Sequence, residues 1–113
     1  MAKFKRAFAL NPSPRLEQDA LYEVAEKVSF VCPGPIYDAM TDDMSSFTKM
    51  VSNSLSDFDP KNDVVVAFGD PVVLAIITSY LADYSYFHLA RFSKFKNGYV
   101  VFKIDNMWEF EGE

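Results

Sequence analysis

One cysteine, one histidine and four glycines in 113 residues leave little room for several kinds of chemistry. A lone cysteine, Cys32, permits no intrachain disulfide. A thiol nucleophile needs a base within hydrogen-bond reach. The only histidine, His88, falls inside one predicted strand while Cys32 ends another, and nothing in the sequence joins them. The few glycines form neither G-x-G-x-x-G nor G-K-[ST], so the phosphate-cradling loops of the large nucleotide-binding families are missing. The longest apolar run, Val72 to Ile77, is far short of the roughly 20 residues that cross a bilayer. The amino-terminal residues lack the apolar core of a secretory signal. These absences point to reducing cytoplasm and to no membrane partner. Positive charge is scarce too: 11 Lys and Arg against 16 Asp and Glu give a net −5. That argues against general nucleic-acid binding, which needs a basic footprint.

Large apolar side chains are abundant. Half of the residues are hydrophobic, with eleven Phe, six Tyr and one Trp. A chain of this length is one domain, 1–113, and buries about two thirds of the surface its unfolded form exposes. So many rings give it a core without metal or disulfide, and no cofactor is called for. They also leave an apolar surplus suited to a second copy or a partner.

Along the chain, Phe4 to Leu10 reads as a strand, stopped by Asn11-Pro12-Ser13-Pro14. Lys3, Lys5 and Arg6, interleaved with Phe4 and Phe8, read as its solvated face. Leu16, Ala20, Leu21, Val24 and Val28 fall on one helical face, predicting a helix over Arg15 to Lys27. Val28 to Cys32 reads as a buried strand ended by Pro33-Gly34-Pro35. One helical turn fits within Ile36 to Thr41. Asp42 or Asp43 can cap the next helix, whose apolar stripe is Met44, Phe47, Met50, Val51, Leu55 and Phe58. Val64 to Phe68 has the β-branched, uncharged character of a central parallel strand. In Gly69-Asp70-Pro71, Gly allows a tight turn, Asp can cap, and Pro suits the first helical position. Val72 to Tyr84 follows, apolar nearly all round at its start, and reads as the most buried helix. Tyr86 to Phe92 and Tyr99 to Ile104 form a hairpin, signalled by Asn97-Gly98. Residues 105–113 read as an acidic, aromatic tail that docks through Met107, Trp108 and Phe110. Alternation of strand and helix predicts a small three-layer Rossmann-like α/β fold. Its sheet has about five mainly parallel strands with an antiparallel carboxyl-terminal hairpin, and about three helices cover it.

Leu10-Asn11-Pro12 closing the first strand, the run Val66 to Ile76 with its Gly-Asp-Pro helix start, and the final hairpin together resemble small accessory proteins of tailed bacteriophages. The resemblance spans much of the chain in outline. It implies a viral protein made inside an infected bacterium, and brings with it no activity and no functional residues.

Four groups are candidate sites. The turn after Phe68 stands where open α/β sheets bind ligands, with free N–H groups at a helix start. Gly69 and Asp70 would form its mouth, with Asn11 and Gly34 on neighbouring strand ends. Asp70 counts against an anion there, because a capping carboxylate takes the donors and repels the charge. Cys32 with His88 is the second group, and a buried, inert cysteine is its plainer reading. Asp57, Asp59 and Asp63 suggest calcium, yet Pro60 interrupts the loop, and the central Gly and closing Glu of an EF-hand are missing. A solvated turn is the simpler account, as helix capping is for Asp38, Asp42 and Asp43. The fourth group is the ring cluster of the last third, which includes Tyr86, Phe92, Phe95, Tyr99 and Trp108. Rings on both faces of the hairpin fit an interface as well as a core. The expectation is a non-enzymatic protein that binds itself or a host protein. A nucleotide- or phosphate-binding module at the Gly69-Asp70 turn is the alternative.

Overall fold

The computed structural model describes residues 3–32, 34 and 42–106. Five strands form one sheet: β1 (Phe4–Ala9), β2 (Ala25–Phe30), β3 (Asp63–Val66), β4 (Tyr86–Ser93) and β5 (Gly98–Asp105). Among the described residues three helices accompany them: α1 (Gln18–Leu21), α2 (Met44–Ser54) and α3 (Pro71–Leu81). The strand order is β2-β1-β3-β4-β5. The first four strands are parallel, and β5 returns antiparallel to β4. This is the expected α/β fold with its antiparallel carboxyl-terminal pair.

The order explains the layering. The chain steps from β1 outward to β2, then back past β1 to β3 and on to β4. Right-handed crossovers put the connections of opposite steps on opposite faces. Leu16 and Leu21, from the α1 connection, accordingly pack with Ala7, Val64, Val66 and Ala90 on one face. Phe47, Val51 and Leu55 of α2 and Val73, Ile77 and Leu81 of α3 pack with Phe8, Val65 and Phe87 on the other. All four residues of β3 are buried, as a central strand requires.

Local chemistry sets the helix starts. The Asp43 carboxylate accepts from the Ser46 N–H at 3.2 Å and Asp70 from the Val72 N–H at 2.8 Å, each satisfying a donor that the first turn leaves free. Pro71 begins α3, where its missing N–H costs nothing.

Two expectations are corrected. The helix over Arg15 to Lys27 is a single turn, because Glu17 supplies no capping bond and the chain turns back at Tyr22 to Val24. The second strand begins at Ala25, which pairs with Phe4, and it lies at the sheet edge rather than inside. Helix α3 is the most buried of the described helices, with Val73, Ile77 and Leu81 inside, although Val72 at its start is 55% exposed. Asn97-Gly98 closes the hairpin that it signals. Ser93 faces Gly98 across a four-residue loop in which Asn97 takes the left-handed conformation, φ 52°. The proposed turn within Ile36 to Thr41 and the docking of the tail's Met107, Trp108 and Phe110 lie outside the described residues.

Candidate functional site

The hairpin places β5 at the open edge of the sheet. The Asn106 N–H donates to the Ser85 carbonyl at 2.9 Å, and these residues continue the β4–β5 register. Antiparallel pairs alternate between bonded and non-bonded. Residues 98, 100, 102 and 104 therefore turn their backbone groups toward β4. Tyr99, Val101 and Lys103 turn theirs toward the open edge. The Ala90 carbonyl, which accepts from the Ala67 N–H at 2.8 Å on the β3 side, fits the same alternation.

Of the rings singled out in the sequence, Phe92 and Tyr99 meet edge to face at 5.4 Å, and Tyr86 meets His88 at 5.7 Å. Burial and the neighbouring Glu17 raise the pKa of Tyr99 above its ordinary value. Phe95 stands at the loop tip, 97% exposed, and Phe102 is exposed with the Arg91 guanidinium 5.5 Å above it. Trp108 lies outside the described residues.

The carboxyl ends of β1 and β3, where the strand order reverses, are the usual place for a ligand. Here Leu10 packs against Gly69. Gly69 has φ +109°, and a Cβ at this position would sit 2.5 Å from Leu10 Cδ2. Leu10 is buried. Asp70 is committed to its cap, and the Asn11 side chain donates to the adjacent Pro12 carbonyl. The Gly34 carbonyl accepts from the buried Cys32 thiol at 3.3 Å. Cys32 stands at the carboxyl end of the β2 edge, with β1 and β3 between it and the strand that holds His88, so the two do not meet.

The amino end of the sheet is more elaborate. Arg6 faces Asp63 across the β1–β3 pair. Its Nε and Nη2 donate to the two Asp63 carboxylate oxygens at 3.2 and 2.7 Å. Nη1 donates to the Asp57 carboxylate at 3.0 Å and Nη2 also to the Asp57 carbonyl at 2.9 Å. The guanidinium lies 4.8 Å over the Phe8 ring. Its bonds to Asp63 outweigh the cost of burial and raise its pKa. Asp63 is 1% exposed and also accepts from the Asp59 N–H at 2.8 Å. Two expectations change here. Arg6 is not a solvated strand residue, and Asp63 is not part of a solvated turn: the pair anchors the turn to the sheet. No group of acidic, His or Cys side chains able to hold a metal occurs among the described residues.

Two clefts flank that turn. The first is lined by Lys5, Arg6, Glu26, Lys27, Asp57, Asp59, Asn62 and Asp63. The second, about 520 Å³, is lined by Lys3, Phe4, Glu23, Val24, Lys61, His88, Val101 and Lys103. The sequence offers His88 only as a distant partner for Cys32, and no local signal points to this cleft, because its lining comes from separate stretches of the chain. No helix among the described residues is long and apolar enough to cross a membrane.

No protein-family model matches the chain, and neither a curated protein nor a solved structure matches it.

Proposed function

We propose that the protein is a non-enzymatic interaction module that pairs through the open edge of β5, with a second copy of itself as first partner and a host protein as the other. The observation that supports this is the edge strand. It runs eight residues, contains no proline, and turns the backbone groups of Tyr99, Val101 and Lys103 outward. Such an edge is a template for strand addition unless charge, proline or a bulge blunts it. Two-fold pairing of the same edge is self-complementary. Phe95 and Phe102 supply exposed apolar surface beside it. The phage resemblance would place this protein in the cytoplasm of an infected bacterium. The Gly69-Asp70 turn gives a phosphate little to hold, because the Asp70 carboxylate takes the Val72 N–H at the helix start and Leu10 packs against Gly69.

Native mass spectrometry across a concentration series tests the reading. The expected result is a dimer that dissociates on dilution. Lys103→Pro removes an outward N–H without touching the β4–β5 ladder, and Lys103 is exposed, so this variant should stay folded and monomeric. A wild-type chain that is monomeric at every concentration overturns self-association.

A further inference from the structure

The second amino-end cleft carries three lysines and one glutamate in a chain whose net charge is −5. Among the described residues Lys61 and Lys103 make no ion pair, and the Lys3 ammonium donates to the Tyr22 carbonyl. The cleft thus holds a local surplus of two positive charges against the sign of the whole molecule.

Its other member is His88. Nδ1 lies 3.1 Å from the Pro60 carbonyl oxygen. A carbonyl only accepts, so Nδ1 carries the hydrogen, and Nε2 is left as the ring's second polar atom. The Phe4 ring at 5.0 Å and the Tyr86 ring at 5.7 Å fix the imidazole from two sides. Lys103 Nζ stands 4.7 Å over Tyr86. Cations ranged about a flat apolar group, in a volume within the range of small-molecule sites, match one ligand chemistry.

We infer that this cleft binds a small phosphate monoester carrying a planar ring, a nucleoside monophosphate being the simplest form. Lys3, Lys61 and Lys103 would neutralise the phosphate, Phe4 would supply apolar contact for the ring, and His88 Nε2 would add one directional hydrogen bond. Glu23 disfavours a second phosphate. This site is distinct from the Gly69-Asp70 turn, which lies at the opposite end of the sheet, and it does not depend on self-association.

Because His88 is the only histidine, its ring resonances report the cleft without ambiguity. The test is a titration of the full chain, followed by nuclear magnetic resonance, with nucleoside monophosphates, the matching nucleosides and inorganic phosphate. Monophosphates should shift the His88 ring signals saturably, and both fragments should bind far more weakly. Lys61→Glu, an exposed change outside the core, should weaken monophosphate binding about tenfold or more, as loss of a charged partner does. Lys94→Glu in the hairpin loop should leave it unchanged. Inorganic phosphate binding as tightly as the monophosphate would remove the ring from the proposal and so overturn it. Shifts confined to Gly69 and Asp70, equal binding by Lys61→Glu, or no shift at all would overturn the site.

Discussion

The two clefts at the amino end share one turn and use charge in opposite ways. On one side Arg6, Asp57 and Asp63 satisfy one another, and Asp63 holds the Asp59 N–H. On the other, the same turn offers the Pro60 carbonyl to His88 and brings Lys61 beside Lys3 and Lys103. The first cleft sets three cations against four carboxylates, with Arg6 bonded to two of them, so an ion arriving there would have to displace existing bonds. The second keeps like charges together with few partners, which costs stability and leaves capacity for a ligand. Clefts alike in size can thus serve structure on one side and binding on the other, and the inventory of bonds tells them apart.

The largest effect expected from this contrast is at Arg6. Arg6→Met leaves Asp63 buried without its cation, and breaking a buried pair from one side costs about 3–5 kcal/mol. Lys61→Met, at an exposed position, should change stability by no more than about 0.5 kcal/mol. Urea denaturation of the two variants measures the difference. Similar losses would mean that the first cleft does not hold the fold as its bonds indicate. Arg6→Met should also disturb His88, because the turn that carries Pro60 loses its anchor.

Neither cleft was fully legible in the sequence, and the reason is distance along the chain. Local signals translated well. Val64 to Val66 is the buried central strand, and Asp43 and Asp70 cap the helices that follow them. The Arg6–Asp63 pair spans 57 positions and depends on β1 and β3 lying side by side in register. A faint signal existed: Arg6 directly precedes the apolar run Ala7 to Leu10, and Asp63 directly precedes Val64 to Val66. Charges at matching starts of neighbouring parallel strands come together. At α1 the helical spacing of Leu16, Ala20, Leu21, Val24 and Val28 was misleading, because Ala25 was needed opposite Phe4. The hairpin was legible as an antiparallel edge, and the strand order puts β5 outermost as that reading expects.

A smaller effect separates the clefts by salt. Lys61→Gln relieves repulsion among the lysines and should stabilise the protein by about 0.2–0.5 kcal/mol at low ionic strength, a gain that screening removes at about 1 M salt. Thermal unfolding at both salt concentrations reads it. A gain that persists in high salt would show that the lysines do not repel one another as their placement implies.

The subtlest expectation concerns Asp59, on the Arg6 side of the shared turn. Its carboxylate accepts from the Asn62 side chain at 2.6 Å and the Lys61 N–H at 3.0 Å. These bonds, the Asn62 one foremost, favour the charged form and hold the pKa below the ordinary value of 3.8. Since the folded state lowers this pKa, its contribution is complete above the unfolded value and disappears as pH falls through the folded one. A carboxyl titration by nuclear magnetic resonance should therefore place Asp59 below 3.8, with Asn62→Ala moving it upward. Acid should loosen the Lys61 and Asn62 amides before the sheet unfolds, because Asp63 still ties the Asp59 N–H to Arg6. If Asp59 titrates at or above its ordinary value, the turn is not held by this carboxylate. The position of Lys61 in the second cleft would then rest on the buried pair alone.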